Sequence, residues 1–266
     1  MKVKKKNKPR LSRGVQNVLW LILFVLIWEG TTRLGLVNSF ILPPFTSVVG
    51  RMIEECFTGT LGLQVLNSLL LVIEGFALSL AISVVIAVLC TKFRTVESLF
   101  IALCSVMNPL PGIAVLPLIM MWFGASNGAM LALIIHGVIW PLVSNLISGF
   151  RAVPTVYTEY AENIGLPPYK VVVDILIFSV MPFFLNGIRI GWGRAWRALI
   201  SAEMIFGMVG TLGGLGYYIY TNKAYANMTN VMAGVLMIVI IGIAVEKTLQ
   251  LLEKNTIEKW GMSNAE

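Results

Sequence analysis

Charged residues are scarce in this chain: Asp, Glu, Lys and Arg make up only 12% of its 266 residues, whereas 57% are hydrophobic. A soluble domain carries roughly 25% charged residues, and disordered chains are more polar still. Together with a mean hydropathy of +0.83, this scarcity excludes both classes. It predicts a protein embedded in a lipid bilayer.

The residue types that carry most enzyme and metal chemistry are also rare. The three cysteines, Cys56, Cys90 and Cys104, show no C-x-x-C spacing and are interpreted as small hydrophobes. His136 is the single histidine, and a hydrogen bond between helices suits it better than a metal site. The motifs H-E-x-x-H, G-x-S-x-G and G-x-x-x-x-G-K-[ST] are absent. We therefore expect no catalytic residues, no cofactor and no ATP binding by this chain.

The net charge of +7 is concentrated at the beginning of the chain, where seven of the twenty basic residues lie within positions 1–14. A basic head before an apolar run could also be a signal peptide. No small-residue cleavage site follows, however, and several more apolar runs do. The head is interpreted as a retained anchor on the cytoplasmic side, and a nucleic-acid partner is not expected.

A helix that spans the bilayer needs about 20 mostly apolar residues. No charged residue lies between Glu97 and Arg151, a stretch too long for one helix, and residues 124–128 suit the turn that divides it. Six spans are predicted, at about 15–32, 65–91, 98–122, 128–150, 180–205 and 226–246. The prolines at 109, 111 and 117 are expected to break the third span, where irregular backbone can face a cavity.

Basic residues favour the cytoplasmic side of a membrane protein. With both termini in the cytoplasm, the inner segments hold 14 basic residues and the outer segments hold three. The chain is thus divided into an N-terminal tail (1–14), a six-helix domain (15–246) with a cytoplasmic loop at 151–179, and a C-terminal tail (247–266). The glycine-rich run 207–216 is interpreted as an outer loop.

The loop at 151–179 has the local signals of two short helices joined by a sharp turn. Pro154 and Thr155 suit a helix start, and Gly165 suits a left-handed residue just beyond a helix end. Pro167 and Pro168 can open the next helix but cannot continue the previous one. The first helix would be about 15 Å long, too short to cross a membrane.

In this loop the sequence resembles the permease subunits of bacterial ABC importers. Their signature is E-A-A, three residues, G, nine residues, then I-x-L-P; Glu159, Ala161, Gly165 and Ile175 stand at the matching positions. Tyr160 replaces the first alanine of the signature. Two further replacements, Ile177 for leucine and Phe178 for proline, weaken the end of the match.

The rest of the chain resembles the nitrate, taurine and aliphatic-sulfonate subgroup of these permeases. The resemblance covers about residue 20 to Trp260, with Leu71 standing where the subgroup has an arginine. The segments that carry it include Trp28-Glu29, Leu42-Pro43, Asn67-Ser68-Leu69, Gly75-Phe76, Trp122-Phe123-Gly124, Gly187-Ile188-Arg189, Ala202-Glu203-Met204 and Gly214-Leu215-Gly216-Tyr217.

This resemblance implies an all-α membrane protein of the type I, MetI-like permease fold, located in the plasma or inner membrane. It implies cytoplasmic ABC ATPase subunits, an extracytoplasmic solute-binding protein and a second permease copy, expected to form a homodimer, as partners. The short loop helix would dock into the ATPase. The docking residues would be Tyr157, Glu159, Tyr160, Ala161, Glu162 and Gly165.

Span five holds an unusual number of ionisable groups for a membrane helix. Arg189, Trp196 and Glu203 are spaced by seven and fall near one helical stripe. The stripe could line the translocation path, with the arginines attracting an anion. The alternative is a buried structural network with side chains that snorkel to the interface, and both interpretations remain open.

Two other functions compete with an importer permease. An ion-coupled secondary transporter would need buried acidic residues in several spans, and only Glu74 and Glu203 are candidates. A membrane enzyme would need a set of catalytic residues, and the absence of the H-E-x-x-H and G-x-S-x-G motifs argues against one. The sequence leaves the solute open among nitrate, taurine, other sulfonates and thiamine-precursor pyrimidines.

Overall fold

The computed structural model describes residues 13–210 and 212–258, and within them every regular element is helical. The basic residues at 2–10 and the end of the C-terminal tail lie outside the described residues. The helices are α1 (Arg13–Arg33), α2 (Phe45–Phe57), α3 (Leu61–Lys92), α4 (Arg94–Met107), α5 (Gly112–Phe123), α6 (Asn127–Arg151), α7 (Thr155–Asn163), α8 (Pro168–Lys170), α9 (Ile177–Phe206), α10 (Leu215–Ala224) and α11 (Met228–Glu253). π-helical turns occupy Val171–Leu176 and Lys254–Glu258.

Five helical segments of the described chain are long and apolar enough to cross a membrane, and α4 with α5 makes a sixth crossing if the bent pair counts as one span. The approximate positions of the predicted spans are therefore confirmed, and their number is six if the bent pair is one span. The predicted turn between spans three and four is confirmed too. Gly124 has φ +64°, and the Ser126 hydroxyl accepts a hydrogen bond from the Ala129 N–H at the start of α6.

The third span, predicted at 98–122 with a break at its prolines, is divided as expected. It consists of α4 and α5, whose axes are bent by 106°. Pro109 and Pro111 lie in the break, where the ring of proline removes a backbone donor and opposes a continuous helix. Pro117, by contrast, lies inside α5 without interrupting it.

The core of the bundle is α6, which packs most extensively against α9 and α3. Glycines permit these close contacts, as is common between membrane helices. A Cβ added at Gly187 of α9 would lie 2.8 Å from Leu142 Cδ1 on α6, and one added at Gly149 of α6 would lie 2.9 Å from Phe183 Cβ on α9. The two glycines thus set the distance between the two central helices.

The second loop helix predicted after Pro167 is not a separate element. It continues from Pro168 through the π-helical turn Val171–Leu176 directly into α9. The prolines open a helix, as expected, but nothing ends it before the membrane span because no glycine or proline stands between 169 and 181. The loop helix α7 is therefore connected, through this turn, to the N-terminal end of the long helix α9.

The helices α1 and α2 lie at the edge of the bundle. The indole N–H of Trp28 on α1 donates to the Pro43 carbonyl, 2.9 Å away, just before α2. The Nε of Arg51 on α2 donates to Asn230 Oδ1 on α11, 2.8 Å away. A hydrogen bond to Glu54 raises the pKa of the Arg51 guanidinium, which keeps it cationic in this contact.

Candidate functional site

The loop helix α7 begins after Pro154, whose extended backbone precedes the helix, and ends in a tight left-handed turn. Gly165 has φ +68°, as predicted. Its N–H donates to the Glu162 carbonyl at 3.0 Å, and the Leu166 N–H donates to the Ala161 carbonyl at 2.9 Å. This pair of hydrogen bonds satisfies two carbonyls at the helix end and defines a Schellman motif.

One face of α7 is directed into the protein and the other is directed outward. Ala161 is fully buried, and the helix packs against the π-helical turn below α9. Tyr157 and Tyr160 are 51% and 64% exposed, and Ile164 continues the same exposed stripe one turn later. Large apolar side chains in such an arrangement are typical of a surface that contacts a partner.

The two carboxylates of α7, Glu159 and Glu162, are exposed. Within the described residues neither forms an ion pair. The structure therefore brings the six predicted docking residues together on one short element, with Ala161 inside and the others outside. Their docking role remains a prediction.

A second feature is a cavity of about 340 Å³ beside the break between α4 and α5. Arg194 on α9 holds the break: its Nη1 donates to the backbone carbonyl and to the Oδ1 of Asn108, each 3.2 Å away. The wall of the cavity is formed by Met107–Ile113, His136, Gly137, Arg194, Arg197, Ala198 and Ser201.

Comparison with known proteins decides the family. Residues 79–256 match the family described as binding-protein-dependent transport system inner membrane component. The chain belongs to this family. It is a permease subunit of an ABC transporter and a multi-pass protein of the plasma membrane.

Named relatives of this permease cover almost its whole length. It is 32% identical to an ABC transporter permease protein of Methanocaldococcus jannaschii over 87% of this chain and 86% of the relative. It is 25% identical to an aliphatic sulfonates transport permease of Bacillus subtilis, over 97% and 92% of the two chains. It is 24% identical to the taurine transport system permease of Escherichia coli, over 92% and 90%.

In this permease the predicted stripe on α9 is divided among separate partners. Arg189 forms ion pairs with two residues of α11, Glu246 at 3.2 Å and Glu253 at 3.0 Å. Trp196 is buried and stacks on Trp192, with ring centroids 6.4 Å apart and planes 6° apart. Each side chain therefore has a structural neighbour, while a role in the translocation path stays a prediction.

Glu203, the third residue of the stripe, is buried in a hydrogen-bond network with Ser68 of α3. The Ser68 hydroxyl donates to Glu203 Oε1 at 2.6 Å and accepts from the Leu215 N–H at 2.8 Å. The Gly216 N–H donates to Glu203 Oε2 at 2.8 Å. The carboxyl group therefore satisfies the N-terminus of α10, where a negative group is favoured.

The glycine-rich run before α10 is folded against α3 and is followed at once by a helix that the sequence interpretation did not predict. Gln64 Nε2 donates to the Leu212 carbonyl at 2.9 Å, and Asn67 Nδ2 donates to the Gly213 carbonyl at 2.7 Å. A Cβ at Gly214 would lie 2.0 Å from Glu203 Oε1, so any larger residue there would displace the carboxyl group from its hydrogen bonds. The run is thus a packed structural element.

Sequence reasoning expected a cavity at the broken third span but missed the arginines that line it, and it misjudged His136. The predicted hydrogen bond from His136 to another helix does not form: both ring nitrogens are buried without a partner in the protein, and the ring packs edge-on against Trp140. The available signal was the combination of an arginine in span five with the two prolines that follow Asn108 in span three. Nothing in the sequence itself brings these segments together.

Proposed function

We propose that this permease forms, with a second copy of itself, the membrane pathway of an ATP-driven importer. The importer moves a small anion such as nitrate, taurine or an alkanesulfonate from an extracytoplasmic binding protein into the cytoplasm. ATP is hydrolysed by separate ATPase subunits that bind α7. The observation that carries the proposal is the rigid, outward-facing α7, capped at Gly165 and joined to the base of α9.

The coupling follows from that attachment. The Schellman motif fixes the end of α7, Ala161 anchors its inner face, and the chain then continues through the π-helical turn into α9. A push on α7 by a closing ATPase would therefore reach the centre of the membrane bundle as a rigid-body movement. The exposed Tyr157 and Tyr160 suit the anchoring role that aromatic residues play in interfaces.

The orientation of the chain is supported by an ion pair between α4 and α6. Arg151 at the end of α6 bonds Glu97 at the start of α4, with Nε and Oε1 2.7 Å apart. The beginning of α4 and the end of α6 therefore share one membrane side, so α4 and α5 together must make one crossing. Six crossings follow, and both termini would lie on the side of α7, where basic residues predominate.

The solute class is supported by the sulfonate and taurine permeases among the relatives. A homodimer is proposed because a single six-span bundle is small for a pathway that opens alternately to both sides. The names of these relatives each mention one permease. The oligomeric state is measured separately, in the purified complex.

The test is co-expression of the tagged permease with the ATPase encoded beside it, followed by purification and measurement of ATP hydrolysis with the binding protein added. In Gly165→Asp we expect the ATPase to be lost, because a side chain at a positive φ costs about 1–3 kcal/mol and distorts the end of α7. Gly35→Asp is the matched control, since Gly35 also has a positive φ, +72°, with open space around it but lies far along the chain from α7.

Retention of the ATPase and wild-type transport in Gly165→Asp would contradict the docking role of α7. If no ATPase co-purifies with the unmodified chain, and the chain alone carries solute into vesicles down an ion gradient, the secondary-transporter alternative replaces the proposal.

A further inference from the structure

The cavity beside the broken third span is lined by cationic groups and by no acidic residue. Arg194 and Arg197 both border it from α9. Among the described residues neither arginine forms an ion pair, whereas Arg189 on the same helix has two carboxylate partners. Uncompensated arginines within a membrane span are costly, which makes a functional role the default interpretation.

The two arginines differ in their surroundings. Arg194 is half-buried and uses one nitrogen to hold Asn108, so other donors of its five-donor guanidinium are free of a carboxylate. Arg197 is exposed at the mouth of the cavity. A planar guanidinium with spare donors suits the planar or tetrahedral oxygens of an oxyanion.

One further feature of the wall favours an anion. The N-terminus of α5 opens at the cavity through Gly112 and Ile113, and no side chain caps it. The free N–H groups of a first helical turn attract negative charge. His136 also borders the cavity, but both of its ring nitrogens are buried, so the ring presents no accessible donor to an anion there.

We infer that this cavity is a transit site for the oxyanion group of the imported solute, held by Arg194 and Arg197 against the N-terminus of α5. The inference rests on the proposed importer function and assigns the place in the permease where the oxyanion group of a sulfonate or nitrate would be held. The volume agrees with that class, since 340 Å³ equals roughly eleven water molecules at about 30 Å³ each. A small oxyanion fits there with part of its water.

The test measures the charge preference of the cavity directly. In the full-length chain, with Cys56, Cys90 and Cys104 replaced by alanine, Ser201→Cys places a thiol on the cavity wall. The thiol is then modified with one of two reagents, the anionic sulfonatoethyl methanethiosulfonate or the cationic trimethylammonium-ethyl methanethiosulfonate. The rate of modification by each reagent is divided by the rate of that reagent with free 2-mercaptoethanol. We expect about a tenfold preference for the anionic reagent, the lower end of what a charged cleft produces.

Arg194→Gln should reduce this preference at least threefold, and Arg197→Gln gives a second variant because its exposed side chain makes no hydrogen bond among those described. Lys92→Gln is the control, because Lys92 is exposed at the end of α3, does not border the cavity and forms no ion pair among the described residues; it should leave the preference unchanged. Excess methanesulfonate should slow modification by the anionic reagent, whereas choline should not.

Equal normalised rates for the two reagents would overturn the inference, as would a preference that survives in the Arg194→Gln, Arg197→Gln double variant. The thiol assay needs no ATPase, so its result is separate from the importer test. An assembled, transporting complex without charge preference would overturn this inference alone. A charge preference in a chain that binds no ATPase would support the site and overturn the proposed function.

Discussion

Glu203 illustrates how a single ionisable side chain becomes structural inside a membrane protein. Its carboxyl group accepts hydrogen bonds from the Ser68 hydroxyl and the Gly216 N–H, and so joins α3, α9 and the start of α10. A buried polar group is costly unless it is paired. Here both oxygens have donors, so removal of the side chain would leave those donors unpaired in turn.

We therefore predict that Glu203→Ala lowers the stability of the purified permease by about 1.5–3 kcal/mol, the range for a hydrogen bond to a charged group. Glu203→Gln should lose less, because its amide oxygen still accepts one hydrogen bond. Thermal unfolding in detergent measures the effect, with Glu54→Gln on the exposed face of α2 as control. A wild-type melting temperature combined with lost transport would instead make Glu203 a residue of the translocation path.

At the scale of helices, the contact between α6 and α9 organises the bundle. Gly149 and Gly187 lie in this contact from opposite helices and leave no room for a Cβ against Phe183 or Leu142. In a membrane the hydrophobic effect does not drive helices together, so close packing over small residues is a principal source of association. The N-terminal end of α9 is connected to α7 through the π-helical turn. A movement of α7 would therefore act directly on the contact between α6 and α9.

We predict that Gly187→Leu lowers the yield of monodisperse permease and destabilises it by about 1–3 kcal/mol, because overpacking forces the two helices apart. Gly242→Leu is the matched control, since nothing lies within 4 Å of a Cβ at that position on α11. Size-exclusion chromatography and thermal unfolding measure both variants. Equal behaviour of the two would show that the α6–α9 contact can open without loss.

The spans show how far local information reaches at this scale. The apolar runs predicted α1, α3, α6, α9 and α11 because length and hydropathy alone determine whether a helix can cross a bilayer. The turn at Gly124 and the cap at Gly165 followed from glycine's access to positive φ. The helix α10 was missed because its start depends on Glu203, a residue outside the helix itself.

For the whole molecule, the side of the membrane on which each turn lies depends on the bent pair α4–α5. The turn before α6 and the loop before α7 lie on opposite sides in either case, because α6 separates them. If the pair crosses, the loop after α1 lies on the same side as the turn before α6; if the pair is re-entrant, that loop lies on the other side. The ion pair between Arg151 and Glu97 favours the crossing.

We predict that single cysteines at Ala125 and Ala152, in a background without native cysteines, are labelled from opposite sides by a membrane-impermeant maleimide. Both positions are exposed. Ala125→Cys should react in intact cells and Ala152→Cys only in inverted vesicles.

A third cysteine, at Gly35, reports the side of the loop after α1 and should behave as Ala125→Cys does. If Ala152→Cys reacts in intact cells, the proposed orientation is wrong; if Gly35→Cys and Ala125→Cys react on different sides, α4 and α5 form a re-entrant loop.

The sequence by itself determined the membrane class, the number and approximate positions of the spans, the turn at Gly165 and the family signature in the loop. These depend on hydropathy and on backbone conformations that neighbouring residues control. Only the tertiary structure decided which groups the ionisable residues contact, because the partners are distant in the chain: Ser68 and Glu203 are 135 residues apart, and Asn108 and Arg194 are 86 apart. The prolines of the third span signalled its break, but the arginine-lined cavity beside the break arises from such distant contacts, which no local pattern records.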